Sequence, residues 1–156
     1  MTKKQFVSIA LLICVLLSAC GSSKAPITVD LNNLYGSLSE TENIKEMISV
    51  SPDKAYILFG INPDDCLQEI TAICSESLLA DEIWLVEAKD EAAAERIKEL
   101  ADVRISQKAD ELRDYLPDQY KVVENAKLIC HGDYVFLIIH PDPDALVTLI
   151  NNSFGA

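Results

Sequence analysis

Cys130 and the two histidines of the chain are the side chains best suited to nucleophilic chemistry. Cys130 and His131 are adjacent, and His140 follows further along the chain. A thiol beside an imidazole can lose its proton and attack a carbonyl carbon. Neighbouring residues of a β-strand point to opposite faces, however, so Cys130 and His131 would share a proton poorly. A thiol-dependent enzyme or redox factor would therefore need His140 to lie opposite Cys130 or His131, and it is the alternative hypothesis.

Pairs of acidic residues are the second possible source of chemistry. Asp64 and Asp65 are adjacent, and Asp142 and Asp144 flank a proline. A calcium loop needs more oxygen ligands at regular spacing, and the sequence lacks the EF-hand pattern. Capping of a helix explains Asp142 and Asp144 without a metal. The sequence also lacks a glycine-rich phosphate loop, a Gly-x-Ser-x-Gly elbow and a His-Glu-x-x-His motif, so we expect no metal and no cofactor.

The most specific pattern lies at the amino terminus. Lys3 and Lys4 precede an apolar run from Phe6 to Leu17 that only Ser8 interrupts. A membrane span needs ~20 apolar residues, so this shorter run is typical of a signal peptide. The run ends in Leu-Ser-Ala-Cys, which resembles the bacterial lipobox. In a lipobox, a signal peptidase cuts before the cysteine, whose thiol carries a diacylglycerol.

Leu17, Ser18, Ala19 and Cys20 suit that chemistry. The small side chains of Ser18 and Ala19 let the backbone enter a tight peptidase cleft, and the Cys20 thiol can form a thioether. Acyl chains such as palmitate contribute about 0.8 kcal/mol per buried CH₂, so several chains hold a protein stably at a membrane. A cleaved secretory peptide with a chance cysteine, or an uncleaved anchor, is the alternative.

These features predict three segments. Residues 1–19 form a lipoprotein signal peptide, residues 20–29 contain the lipidated cysteine and a flexible tether, and residues 30–156 form an extracytoplasmic domain. The net charge of -12 excludes general binding to nucleic acid, whose phosphates would be repelled. Anionic lipid headgroups would be repelled as well. We therefore expect the domain to face the aqueous space outside the cytoplasm, with the lipid anchor as its membrane contact.

Three cysteines remain in the mature segment after Cys14 leaves with the signal peptide and Cys20 is lipidated. They are Cys66, Cys74 and Cys130. An odd number permits at most one disulfide among them. They are either small buried side chains, or Cys130 forms a bridge with Cys66 or Cys74.

Hydrophobic periodicity predicts the elements that position these residues. Strands are predicted over 67–73, 82–88, 127–130 and 134–140. Helices are predicted over 31–38, 42–48, 53–59, 91–115 and from 143 onward. Ser51-Pro52 and Gly60 provide start and stop signals for the third helix. On the long fourth helix, Arg104 and Lys108 are placed on the solvated side, whereas Trp84 is expected in the core.

The order of these elements favours an α+β fold. We predict a single domain with a mostly antiparallel four-stranded sheet and with helices packed on one face. The run Val135–Ile139 is apolar at every position, so its strand should be central in the sheet.

Four short stretches occur in a characteristic order after the lipobox. They are Ala80-Asp81-Glu82-Ile83, Lys89-Asp90, Tyr115-Leu116-Pro117-Asp118-Gln119 and Gly132-Asp133-Tyr134-Val135. On these stretches the chain resembles the bacterial lipoprotein family of domain of unknown function 4358, over about residues 31–150. The resemblance implies a membrane-anchored extracytoplasmic protein without an assigned activity. Cys20 is the one site residue that it carries over.

The first functional hypothesis is a non-enzymatic binding or accessory module that contacts an unknown protein or envelope partner. A small-molecule receptor is less well supported, because solute-binding lipoproteins usually have two lobes and this chain has room for one ordinary domain.

Overall fold

A computed structural model describes residues 27–40, 44 and 47–155. These residues form a single α+β domain, as predicted. The helices are α1 (Leu31–Ser39), α2 (Pro52–Phe59), α3 (Glu91–Leu112), α4 (Pro117–Glu124) and α5 (Pro143–Ser153). The strands are β1 (Met47–Val50), β2 (Cys66–Cys74), β3 (Glu82–Ala88), β4 (Lys127–His131) and β5 (Tyr134–Ile139). A short 3₁₀ turn (Pro63–Asp65) precedes β2.

The strands form one antiparallel sheet in the order β1-β2-β3-β5-β4. The four predicted strands are confirmed as β2 to β5, and the sheet has a fifth strand, β1. The prediction of a helix as far as Ile48 is wrong, because Met47 and Ile48 pair with Cys74 and Ile73 of β2. Cross-strand contacts of this kind stabilise a short β-branched segment that has too few residues for a stable helix. The rest of that predicted helix, apart from Ile44, lies outside the described residues.

Helices cover both faces of the sheet, so the prediction that they pack on one face is wrong. Trp84, Val86 and Leu137 belong to a core beneath α2, α3 and α4. Ile83 and Phe136 belong to a second core against α1 and α5. Both faces need a cover because the central strands β3 and β5 are apolar on both sides, and leaving either face in water would forfeit about 25 cal/mol per Å² of apolar surface.

Local signals set several helix boundaries. The Asp30 carboxylate accepts a hydrogen bond of 3.0 Å from the Asn33 amide at the start of α1, and the Asp90 carboxylate caps α3 in the same way. Pro52 begins α2, and Gly60 ends it with a φ of 80°, the left-handed conformation that favours glycine. Helix α3 ends at Leu112, three residues earlier than predicted.

Candidate functional site

The predicted lipidation residues Leu17, Ser18, Ala19 and Cys20 lie outside the described residues. The description of the chain begins at residue 27, near the end of the predicted tether. Within the described residues, no helix has the length and apolar character needed to cross a membrane.

Val29 lies where the predicted tether joins the domain, and its backbone is hydrogen-bonded to side chains of the sheet. The Tyr134 hydroxyl of β5 accepts a hydrogen bond of 3.1 Å from the Val29 amide. The Gln68 side-chain amide of β2 donates a hydrogen bond of 3.0 Å to the Val29 carbonyl oxygen. The Gln68 side-chain oxygen also accepts a bond of 3.0 Å from the Leu31 amide. The segment that leads into α1 is therefore bound by side chains from two strands.

Glu87 of β3 links these two side chains. Its Oε1 accepts a hydrogen bond of 2.8 Å from the Tyr134 hydroxyl, and its Oε2 accepts one of 2.5 Å from Gln68 Nε2. We call Gln68, Glu87 and Tyr134 the entry clamp. Burial raises the pKa of Tyr134, so the phenol keeps the proton that it donates to Glu87.

The register of the sheet explains why the entry clamp forms. Gln68 pairs with Glu87, and Glu87 pairs with Tyr134, so the three residues lie in one row across β2, β3 and β5. No pattern in the sequence alone indicates this row. Only the strand order, with β5 next to β3, brings residues so distant in sequence together.

Cys130 and His131 lie on opposite faces of the sheet. Cys130 is exposed and lies opposite Val135, on the face that α3 covers. The His131 ring stacks on Phe154, and His131 Nε2 lies 2.9 Å from Asn151 Oδ1 on the α5 side. The arrangement follows from the alternation of side chains along β4.

His140 is distant from both. It lies five residues beyond Val135, the partner of Cys130, which corresponds to about 17 Å along a strand. His140 is buried, and its Nδ1 accepts a hydrogen bond of 3.0 Å from the Asp142 amide. Its Nε2 lies 3.9 Å from a carboxylate oxygen of Asp81. The structure therefore does not bring a histidine to Cys130.

The three cysteines of the described residues are free thiols. Burial raises the pKa of Cys66 to about 12, and the Glu69 carboxylate adds to the effect. Burial also raises the pKa of Cys130. A reactive thiol needs the opposite environment, in which a nearby cation or helix terminus lowers the pKa.

In each acidic pair singled out in the sequence, one carboxylate forms an ion pair with a cation of the chain, and the other acidic residue is exposed. Asp65 accepts hydrogen bonds from Arg96 and lies 2.9 Å from the Lys89 ammonium. These two cations hold the pKa of Asp65 well below its usual range. Asp144 lies 3.1 Å from the Lys127 ammonium, and the Asp142 side chain makes no capping hydrogen bond to α5. Capping of α5 by the side chain of Asp142 is thus not observed, and Asp144 forms an ion pair instead.

Glu82 is the centre of a buried ionic cluster that was not predicted from the sequence. Its carboxylate is fully buried. Arg104 Nε donates to Oε1 at 3.0 Å and to Oε2 at 3.2 Å, and Arg104 Nη2 donates to Oε2 at 2.8 Å. The Lys108 ammonium lies 2.8 Å from Oε2, and the indole of Trp84 donates a bond of 2.9 Å to Oε1. We call Glu82, Trp84, Arg104 and Lys108 the ionic centre.

The ionic centre corrects the prediction that Arg104 and Lys108 are solvated. Both side chains extend from α3 towards the sheet, one helical turn apart. Burial alone would raise the pKa of Glu82, but the bonds from Arg104 and Lys108 outweigh burial and lower it. Glu82 at an inward-facing position of β3 was the one available signal, since an unpaired buried carboxylate is costly.

A cleft of about 460 Å³ lies between the end of α2 and α3. Its lining residues are Gly60, Asn62, Asp65, Arg96, Glu99, Leu100 and Val103. Asp65 and Arg96 are bonded to each other, and no thiol, imidazole or hydroxyl nucleophile lines the cleft. The cleft therefore contains no nucleophile and base within reach of each other.

The comparisons with known proteins give one assignment. A family model described as domain of unknown function (DUF4358) matches residues 40–140. The chain belongs to this family. No curated protein and no solved structure matches the chain.

The DUF4358 match contains the whole sheet and the helices α2, α3 and α4. The ionic centre and all three residues of the entry clamp lie within it. Helices α1 and α5, which cover the second face of the sheet, lie outside the match. The clamp therefore joins the DUF4358 segment to the residues that precede it.

Proposed function

We propose that this DUF4358 protein is a lipoprotein tethered outside the cytoplasmic membrane through Cys20. We further propose that its domain is a non-enzymatic binding or accessory module that contacts another protein or envelope component. Lys3, Lys4, the short apolar run and the Leu-Ser-Ala-Cys ending support the anchor.

The entry clamp is the structural observation that best supports this proposal. A lipid anchor at Cys20 would transmit force and thermal motion through residues 21–28 to Val29. Both polar groups of the Val29 backbone are bonded to side chains of the sheet, and Leu31 is bonded as well. An attachment of this kind gives the tether a fixed point of exit and protects the start of α1.

The non-enzymatic part of the proposal follows from the placement of the reactive side chains. The side chain of Cys130 is separated from those of both histidines, and one acid of each pair, Asp65 or Asp144, is bonded to a cation of the chain. The thiol-dependent alternative lacks support from the structure, because His131 lies on the opposite face of the sheet from Cys130 and the pKa of the Cys130 thiol is raised rather than lowered.

Metabolic labelling with an alkyne fatty acid tests the anchor. We expect the full-length chain and its Cys14→Ala variant to be labelled and the Cys20→Ala variant to remain unlabelled. Cys14→Ala is the matched control, since it removes a cysteine from the same leader without touching the lipidation residue. Label in Cys20→Ala, or none in the unmodified chain, would contradict the anchor.

Crosslinking in intact cells tests whether the domain contacts another protein or envelope component. A tagged full-length chain should capture the same envelope component in repeated experiments, and Cys130→Ser should capture it equally well. Loss of capture with Cys130→Ser would favour the thiol-dependent alternative instead.

A further inference from the structure

We propose that a second copy of this chain pairs with edge strand β1, so that two sheets join by antiparallel β1–β1 contact across a two-fold axis. The inference rests on the proposed function in one respect only, namely that tethering to one membrane raises the local concentration of copies. The geometry of β1 and α2 carries the rest.

The two edge strands of the sheet, β1 and β4, differ in the features that prevent pairing with another chain. Exposed edge strands usually carry a lysine, a proline or a bulge that discourages pairing with another chain. Strand β4 carries Lys127, which is paired with Asp144 at 3.1 Å. Strand β1 has the sequence Met-Ile-Ser-Val, without charge or proline, and among the described residues it pairs with β2 alone. Its short length of four residues is the one protective feature that β1 has among those that blunt an edge, so β1 forms the more open of the two edges.

Helix α2 presents an unusual apolar surface directly after β1. Tyr56, Ile57 and Leu58 are consecutive and are 56%, 79% and 56% exposed. The opposite side of the helix, with Ala55 and Phe59, is buried in the core. Three consecutive exposed apolar residues in a helix are unfavourable in water unless another surface covers them.

Ile48 of β1 is a further exposed apolar side chain at the edge of the sheet. It is 54% exposed and has the same orientation along β1 as Val50, which packs on the α2 side. In the proposed dimer, the interface is centred on β1 and covers Ile48 and the exposed side chains of α2. We call Ile48, Tyr56, Ile57 and Leu58 the apolar edge surface.

The low local charge at this surface permits a second copy and offers no specific attraction to a basic partner. The chain has a net charge of -12, but β1 has no charged residue and α2 has only Asp53 and Lys54, which offset each other. Two acidic copies can meet here without placing like charges in contact. A basic partner would instead be attracted to the acidic surfaces elsewhere on the domain.

An antiparallel pair of identical strands is self-complementary, because a two-fold axis perpendicular to the sheet exchanges the strands. The same axis places both α2 helices on one face of a joined ten-stranded sheet. The exposed residues of one α2 can then cover those of the other.

Cysteine crosslinking of the full-length chain in membranes tests the pairing. Ser49 is exposed in β1, so we expect Ser49→Cys, in a Cys130→Ser background, to give a covalent dimer with a short bis-maleimide. Cys130→Ser alone measures the background from Cys66 and Cys74. The unmodified chain is the matched control, since its exposed Cys130 lies in the opposite edge strand. Absence of the Ser49→Cys dimer, or an equal dimer through Cys130, would overturn the inference.

A charge in the apolar edge surface should then prevent the dimer. Ile57→Glu, added to the Ser49→Cys chain, places two like charges near the axis, and we expect about tenfold less crosslinked product. Tyr115→Glu changes a side chain of similar exposure outside this surface and should leave the yield unchanged. Equal yields from both variants would contradict the proposal. Fatty-acid labelling is scored separately, so a labelled chain that does not crosslink overturns the dimer and leaves the anchor standing.

Discussion

Gln68 and Tyr134 bind the same residue, Val29, from two different strands. The Gln68 amide donates to the Val29 carbonyl, and the Tyr134 hydroxyl accepts the Val29 amide hydrogen. Glu87 joins both side chains from the strand between them. In the proposed tethered protein, a pull on the anchor would act on three central strands at once rather than on α1 alone.

Removal of the Tyr134 hydroxyl tests the entry clamp. Tyr134→Phe leaves the Val29 amide and one Glu87 oxygen without their partner, so we expect the free energy of unfolding to fall by about 1–3 kcal/mol. Hydrogen exchange at the Val29 amide should accelerate as well. Tyr115→Phe, at an exposed position, should change neither quantity. Unchanged exchange at Val29 in Tyr134→Phe would show that the clamp does not hold this segment.

The ionic centre should contribute more to the free energy of unfolding than the entry clamp does. Its contribution depends on the Glu82 carboxylate. Glu82→Gln leaves Arg104 and Lys108 largely buried without an anion, and breaking such a pair typically costs about 3–5 kcal/mol. Urea unfolding at pH 7 should show this loss. The exposed Glu99→Gln should shift the free energy of unfolding by less than about 0.5 kcal/mol. Similar values for the two variants would contradict a structural role for the ionic centre.

The stabilisation that Glu82 provides should decrease at low pH. The folded pKa of Glu82 lies below the unfolded value of 4.5. Its stabilising contribution is therefore complete above pH 4.5 and is lost as the pH falls through the folded pKa. The difference in stability between the unmodified chain and Glu82→Gln should shrink as the pH is lowered from 4.5. A difference that stays constant down to pH 2 would contradict the lowered pKa.

The pKa of Glu69 is shifted in the opposite direction to that of Glu82. Its two carboxylate oxygens are buried without a partner among the described residues, and burial raises its pKa above the ordinary value of 4.5. Its contribution to stability is therefore fully present below pH 4.5 and is lost as the pH rises through the folded pKa. At pH 7 a buried carboxyl group without a partner costs stability relative to an apolar side chain, so Glu69→Leu should raise the free energy of unfolding by about 1 kcal/mol.

Thermal or urea unfolding at pH 7 and pH 4 checks the Glu69 prediction. The gain from Glu69→Leu should be smaller at pH 4, where more of the native carboxyl is protonated. Glu124→Leu, at an exposed position of α4, provides the control. A loss of stability in Glu69→Leu at pH 7 would mean that the carboxylate has a partner.

Thiol labelling tests the enzymatic alternative. Because burial raises the pKa of both Cys66 and Cys130, iodoacetamide should react slowly with both at pH 7, and slowest with Cys66. The rate at Cys130 should continue to rise beyond pH 9, and Cys130→Ser identifies its signal. A Cys130 rate that reaches a plateau below pH 7 would indicate an activated thiol and would revive the enzyme hypothesis.

Local signals in the sequence predicted most individual elements of the fold. Pro52 and Gly60 set α2 correctly despite its strand-like residues, because both positions depend on backbone conformation within a few residues. Strand β1 was missed for the opposite reason. Its conformation depends on pairing with β2, and its four residues are too few for the strand preference of Ile48 and Val50 to decide the prediction.

The sites were harder to predict than the elements. Arg104 and Lys108 are long amphipathic side chains, which can either extend into water or reach a buried carboxylate. The position of Glu82 beneath α3 decides between these outcomes, and that position depends on how the helix packs on the sheet. Gln68, Glu87 and Tyr134 likewise form a clamp only once the order of β2, β3 and β5 is known.

Mass spectrometry of the amino-terminal peptide, from full-length protein extracted from membranes, tests the central claim most directly. The account predicts a peptide that begins at Cys20, lacks residues 1–19 and has a diacylglycerol on its sulfur. A membrane-extracted chain that begins at Met1, or one that begins at Cys20 with an unmodified thiol, would contradict it.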